Sequence, residues 1–220
     1  MSNDRVLKSD SFGSITVVLH DGVAAVVRDS RAARRGSRWI ARGLAAREAA
    51  ALRALGGVEG VPLLIGFEHG VLRRSFITGE PMHVAHPRSR EYFASGLKVL
   101  IAVHRRGVAH NDLAKEPNWL CLPNDRAAIV DFQLAVVAKR RGKLFRILAR
   151  EDLRHLCKHK RTYAPSCLTA RQRALLARPS LLAHVWRTLM KPVYLLITRR
   201  LLGWPERAGP AERQRDQRRF

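Results

Sequence analysis

The sequence predicts an α+β fold: a small antiparallel sheet carrying one helix, followed by a mainly helical half. Two observations predict it. Up to about residue 80 the chain runs in short β-branched, apolar segments, interrupted once by a stretch rich in Ala, Leu and Arg. Beyond about residue 89 apolar residues recur at helical spacing, and strand-like pieces become short.

The elements follow in order. Residues 14–28, SITVVLHDGVAAVVR, read as two strands around His20-Asp21-Gly22, an Asp-Gly hairpin signal. Residues 38–55 read as a helix, with Ile40, Leu44, Ala45, Ala51, Leu52 and Leu55 at helical spacing and Gly56-Gly57 as its stop. VPLLIGFEHG and VLRRSFITGE read as two further strands joined at His69-Gly70. Pro81 and Pro87 mark a linker over 79–88. Residues 89–106 suit a helix that turns Tyr92, Phe93, Leu97, Leu100 and Ile101 to a core and closes at Gly107. Short apolar pieces and polar clusters fill 108–133. EDLRHLCKH, ARQRALLAR and 181–204 read as helices, and 205–220 as a basic, frayed tail.

Composition bounds the function classes. The chain has 220 residues, with 41 Lys and Arg against 18 Asp and Glu, a net charge of +23. Such an excess points to an anionic partner: nucleic acid, an acidic membrane surface or a phosphorylated ligand. Cys121, Cys157 and Cys167 have no zinc-site spacing and suit a reducing compartment, as structural cysteines. The start, MSNDRVLKSDSFGS, lacks the apolar core of a signal peptide, and no apolar run reaches spanning length. A cytoplasmic location is expected. The stretch 181–204 mixes Leu, Trp and Tyr with Arg and Lys. It reads either as packed helix or as an interfacial segment on an anionic inner membrane face. The basic run HLCKHKR, 155–161, reads first as a solvated face and second as a dock for an anionic substrate.

Two aspartates stand out against this background, in HNDLAKEPNWL (110–120) and IVDFQLA (129–135). Asp131 follows the buried-strand signal AAIV, and Asp112 lies in a loop after a helix and a glycine. With Asn118 between them, they offer hard oxygen ligands of the kind Mg²⁺ takes together with substrate phosphates. An aspartate left over can accept a proton from a hydroxyl.

HRRGVAHNDLAKEPNWL followed by IVDFQLA resembles the catalytic loop and metal-binding motif of the protein-kinase-like superfamily. The Asn after His110 suits its atypical bacterial branch, which includes RIO-type kinases and lipopolysaccharide-core sugar kinases. The resemblance implies a two-lobed fold: a small lobe over 1–80 and a helical lobe over 81–204. It implies ATP and Mg²⁺ as cofactors, Asp112 as catalytic base, and Asn118 and Asp131 as metal ligands. Arg28, at the end of the expected third strand, would hold nucleotide phosphates and pair with Glu48. Lys115 joins them as a nucleotide-binding residue. His110 and Asp152 would support the catalytic loop. The acceptor would be a protein Ser or Thr, or a sugar hydroxyl.

Four departures accompany the resemblance. The hairpin offers only Gly13 and Gly22 where a Gly-rich loop is usual, so backbone around Ser11–Ser14 would have to serve. Arg28 replaces a lysine, whose point charge differs from a planar fork. Asn118 comes one residue late, with Pro117 marking a local bulge. Gln133 replaces the glycine of D-F-G, which removes backbone freedom. Three classes therefore stand open: an active phosphotransferase, a kinase-shaped binding module without transfer, and a basic RNA-associated protein.

Overall fold

Strand pairing begins earlier than the sequence suggests. Three strands precede the first helix, not two: β1 (Arg5–Asp10), β2 (Gly13–His20) and β3 (Val23–Asp29). β1 reads RVLKSD, too polar to announce a strand, and it pairs on β2 through a bulge between Val6 and Lys8. The computed structural model describes residues 5–10, 13–20, 23–33 and 36–178, all within one compact unit, Met1–Arg178. The Asp21-Gly22 turn, Ser11, the segment 181–204 and the tail 205–220 lie outside the described residues.

The helix α1 (Arg38–Ala54) follows β3, and β4 (Leu64–Glu68) and β5 (Val71–Ser75) complete a five-stranded antiparallel sheet in the order β1-β2-β3-β5-β4. β4 and β5 meet at His69 and Gly70, both at positive φ, 49° and 82°. A two-residue hairpin loop with two left-handed residues matches the right-handed twist of its strands. A Cβ on Gly70 would stand 2.7 Å from Ser30 Oγ, which fixes glycine there sterically as well. α1 turns Ala41, Ala45, Glu48, Ala49 and Leu52 inward, one face at i, i+4, i+7, i+8 and i+11. Its alanines let the helix lie close on the sheet, beside Leu72.

The expected linker is partly ordered into structure. β6 (Glu80–Pro81) pairs with Cys121 and Leu120, and a single turn α2 (Met82–Ala85) buries Met82. α3 (Arg90–Arg105) is capped by Ser89, whose hydroxyl accepts the Tyr92 N–H. It buries Tyr92, Phe93 and Leu100, while Ile101, expected inside, faces outward. Gly107, at φ 74°, ends it.

Short pieces then alternate: β7 (Val108–Ala109), β8 (Trp119–Leu122), β9 (Arg126–Ile129) and β10 (Val136–Val137). β6, β8 and β9 form a three-stranded sheet, and β7 pairs with β10, all antiparallel. α4 (Lys143–Tyr163) starts well before Glu151, where the sequence placed it, and α5 (Ala170–Ala177) follows with a Thr169–Gln172 capping box. The protein is thus mixed α+β, with small antiparallel sheets and five α-helices among the described residues. Trp119, Phe93, Leu100, Ile129 and Phe132 centre the core between α3 and the three-stranded sheet. No helix of the described residues is long and apolar enough to cross a membrane.

Candidate active site

Asp112, Asn118 and Asp131 sit on three separate segments, and backbone hydrogen bonds stitch those segments together. The Trp119–Ile129 pair of β8 and β9 extends outward by one bond, in which Val130 N–H donates to Asn118 C=O at 3.0 Å. Asn118 is thereby held beside the residue that precedes Asp131. His110 Nε2 bonds Val130 C=O at 3.0 Å, which ties the Asp112 loop to the same point. The Asn118 amide donates to Asp112 twice, to its C=O at 2.9 Å and to Oδ2 at 3.2 Å. Asn118 closes a 3-10 turn, Glu116–Asn118, with Pro117 in its first positions.

His110 acts as a strut. It is fully buried, its ring lies 4.5 Å from Phe132, and Nδ1 accepts the Asp112 N–H at 3.3 Å. An acceptor Nδ1 requires the proton on Nε2, which donates to Val130. Burial pushes the imidazole below its usual range, so it stays neutral.

Beneath the loop stands Asp152, completely buried in the middle of α4 rather than at a helix start. Its Oδ2 accepts the His110 N–H at 2.7 Å and faces His104 Nε2 at 3.1 Å, while Oδ1 accepts the Asn111 N–H at 2.9 Å. Asn111 is in the left-handed region, φ 64°, a conformation Asn tolerates. Its position mid-helix excludes dipole stabilisation at a helix N-terminus and leaves loop support as the role of Asp152. His104, in the last turn of α3, is the third group on this carboxylate.

The sheet supplies the other wall. Arg28 on β3 places Nε 3.7 Å from Glu48 Oε2 and Nη2 3.9 Å from Asp131 Oδ1. The expected Arg28–Glu48 pair is therefore present, and Arg28 reaches the Asp131 segment as well. Glu48 is fully buried, not a solvated helical charge. Sequence reasoning missed its nearer partner, Arg74 of β5, whose Nε lies 3.1 Å from Glu48 Oε1. The signal was available: Arg74 is two residues from buried Leu72, and strand alternation puts both on one face. The contact is ionic and not aligned as a hydrogen bond, since both Glu48 oxygens lack a hydrogen-bond partner. Burial raises the Glu48 carboxyl against the pull of Arg74 and Arg28, and burial lowers Arg74.

Two internal donors occupy the aspartates. Lys115 Nζ lies 2.7 Å from Asp112 Oδ2, and the Gln133 amide donates to Asp131 Oδ1. Gln133 thus fixes the carboxylate of Asp131, itself at φ 70°. The Asp131 side chain is 29% exposed, enough for a ligand to reach it.

The donor set fits a hard cation. Asp131 and Asn118 supply oxygens from adjacent backbone positions, and with the Asn118 nitrogen engaged by Asp112 its oxygen is the remaining donor. Among the described residues no group of three or more His, Cys, Asp and Glu side chains forms a cage, so such a cation would depend on ligands from substrate. A cavity of about 260 Å³ between α1 and β4, lined by Leu55, Gly57, Val58, Val61, Pro62 and Leu63, contains none of these residues. The basic run 155–161 is not a solvated face, because Cys157, His159 and Lys160 are buried. His159 Nε2 bonds Leu113 C=O at 2.8 Å and so joins the support of the loop. All three cysteines are free. No protein-family model matches the chain, and no curated protein is significantly similar to it.

Proposed function

We propose that the chain is a divergent, two-lobed member of the protein-kinase-like superfamily that transfers the γ-phosphoryl group of ATP to a hydroxyl. The observation that carries this reading is the position of Arg28. One guanidinium lies within 4.0 Å of both the helix carboxylate Glu48 and the loop carboxylate Asp131. That is where a cation must stand to hold phosphates against a metal-binding aspartate. The order of sheet, single helix and helical half, and the grip of Asp152 on the loop backbone, support the same reading.

In this mechanism Asp112 accepts the proton of the acceptor hydroxyl, and Lys115 beside it is placed to meet the transferred phosphoryl group. Asp131 and Asn118 would hold Mg²⁺, which neutralises phosphate charge when bound. Glu48 orients Arg28, and Gln133 orients Asp131. Such chemistry asks mainly for positioning and charge stabilisation, which a constellation this ordered supplies.

A second reading, nucleotide binding without transfer, is favoured by the internal donors. Lys115 on Asp112 and Gln133 on Asp131 satisfy both carboxylates without a substrate. Thermal melting with Mg-ATP and labelled-phosphate transfer separate the readings. Wild type is expected to gain about 2.7 kcal/mol at a ligand concentration about 100 times Kd. Asp131→Ala is expected to remove that gain. Asp112→Ala is expected to keep it and lose transfer by on the order of 100-fold or more. A thermal shift in wild type with no transfer to any hydroxyl acceptor would establish the second reading. No shift at all would sink both.

A further inference from the structure

The stretch that leaves Asp131 carries an unusual surface. Leu134, Val136, Val137, Leu144 and Ile147 are all exposed, Leu144 to 65%. Around them Lys139, Arg140, Arg141, Lys143, Arg146 and Arg150 are exposed too, with no Asp or Glu between Asp131 and Glu151. These groups share one region of the fold. β10 pairs with β7, and α4 packs on β7 and sets Phe145 against His104. Leu144 and Ile147 are one turn apart on α4, outside the buried face marked by Phe145.

We propose that residues 134–150 form a docking surface for an anionic phospholipid bilayer. Aliphatic side chains interleaved with cations suit the boundary between acyl chains and headgroups, where each kind meets its own solvent. Six basic residues fall within the roughly 4–8 typical of clusters that bind acidic lipids. Nucleic acid fits less well. It would meet five exposed aliphatics and no exposed aromatic to stack on, since Phe132 and Phe145 are both buried. The surface ends at the candidate site: the Asn111 amide donates to Leu134 C=O at 3.2 Å, and β7 runs directly into His110. On the phosphotransferase reading, and only on it, the hydroxyl acceptor is carried by the bilayer itself.

Flotation of the full chain tests the docking, with vesicles of phosphatidylcholine alone and with phosphatidylglycerol added. Wild type is expected to float with the anionic vesicles only and to be released by salt. Leu144→Asp with Ile147→Asp, and separately Lys139→Glu with Arg140→Glu and Arg141→Glu, are each expected to weaken binding at least about tenfold. Both alter exposed positions, and unchanged melting temperatures would verify that they fold; Leu144→Ser alone serves if the double variant does not. Asp131→Ala is expected to float like wild type, which keeps a failure of nucleotide binding distinct from a failure of docking. The proposal is overturned if wild type stays in solution or floats equally with neutral vesicles. It is also overturned if both patch variants float like wild type, which would move the contact to another segment such as 181–204. Loss of binding to an oligonucleotide or an acidic peptide, with vesicle binding intact, would overturn it in favour of that partner.

Discussion

Glu48 and Asp152 are both completely buried carboxylates on the inner faces of helices, and the protein treats them in opposite ways. Asp152 receives three directed partners, two of them the backbone N–H groups of His110 and Asn111. Glu48 receives two arginines and no aligned hydrogen bond. The first arrangement fixes backbone shape, because removing the acceptor orphans buried donors. The second fixes charge, because two cations, Arg28 and Arg74, stand against two anions, Glu48 and Asp131. Directed bonds give rigidity, whereas a balanced ionic cluster can rearrange when another charge enters. The loop side is held by directed bonds and the sheet side by charge balance.

The largest effect is expected on the loop side. Asp152→Ala leaves the His110 and Asn111 N–H groups without their acceptor and is expected to cost about 3–5 kcal/mol in urea unfolding. Asp152→Asn keeps one acceptor oxygen and is expected to cost clearly less. Equal losses for the two would show that the carboxylate charge, not directed bonding to an acceptor oxygen, holds the loop.

A somewhat smaller loss, about 3 kcal/mol, is expected for Glu48→Gln, which strands Arg74 in the interior. Here a second change is expected to help. Glu48→Gln with Arg74→Met removes the orphaned charge and is expected to regain a large part of the loss, with nucleotide binding still impaired. Additive losses in that double variant would break the distinction between charge balance and directed bonding.

The smallest effect is a pH dependence. Burial holds His110, His155 and His159 below the ordinary histidine value of 6.5, His155 at about 4. The unfolded chain takes up these protons near 6.5, and the folded chain only at lower pH. Stability is therefore full above that value and is lost as pH falls below it. Melting temperatures at about pH 7.5 and about pH 5 should show the decline. His110→Asn is expected to flatten it in part, since His110 is one of the three groups responsible.

Much of this was legible from residues. The hairpin of β2 and β3 and the helix over 38–55 follow from local periodicity, which depends only on neighbours in the chain. The Arg28–Glu48 pair was expected from the resemblance, and the residue-level signal for it was that Glu48 is the only acid of its helix. β1 was not legible, since RVLKSD has no apolar alternation and becomes a strand only because β2 offers it an edge. The early start of α4 was hidden by exposed Leu144 and Ile147, which blur the face that Phe145 and Leu156 define. Buried Lys160 and His159 were hidden as well, because a basic run reads as solvated until a fold closes over it.

By itself the sequence determined the α+β class, the order of β2, β3, α1, β4, β5 and α3, and which acids stand beside apolar segments. These are properties of short windows, where propensity and side-chain period dominate. Only the tertiary structure decided that Asp152 grips the loop from mid-helix, that Arg74 shares Glu48, and that Gln133 and Lys115 cover the two aspartates. Each of these joins groups from different elements or around a tight turn, and the Asp152 and Glu48 contacts draw their strength from burial, which a sequence does not display.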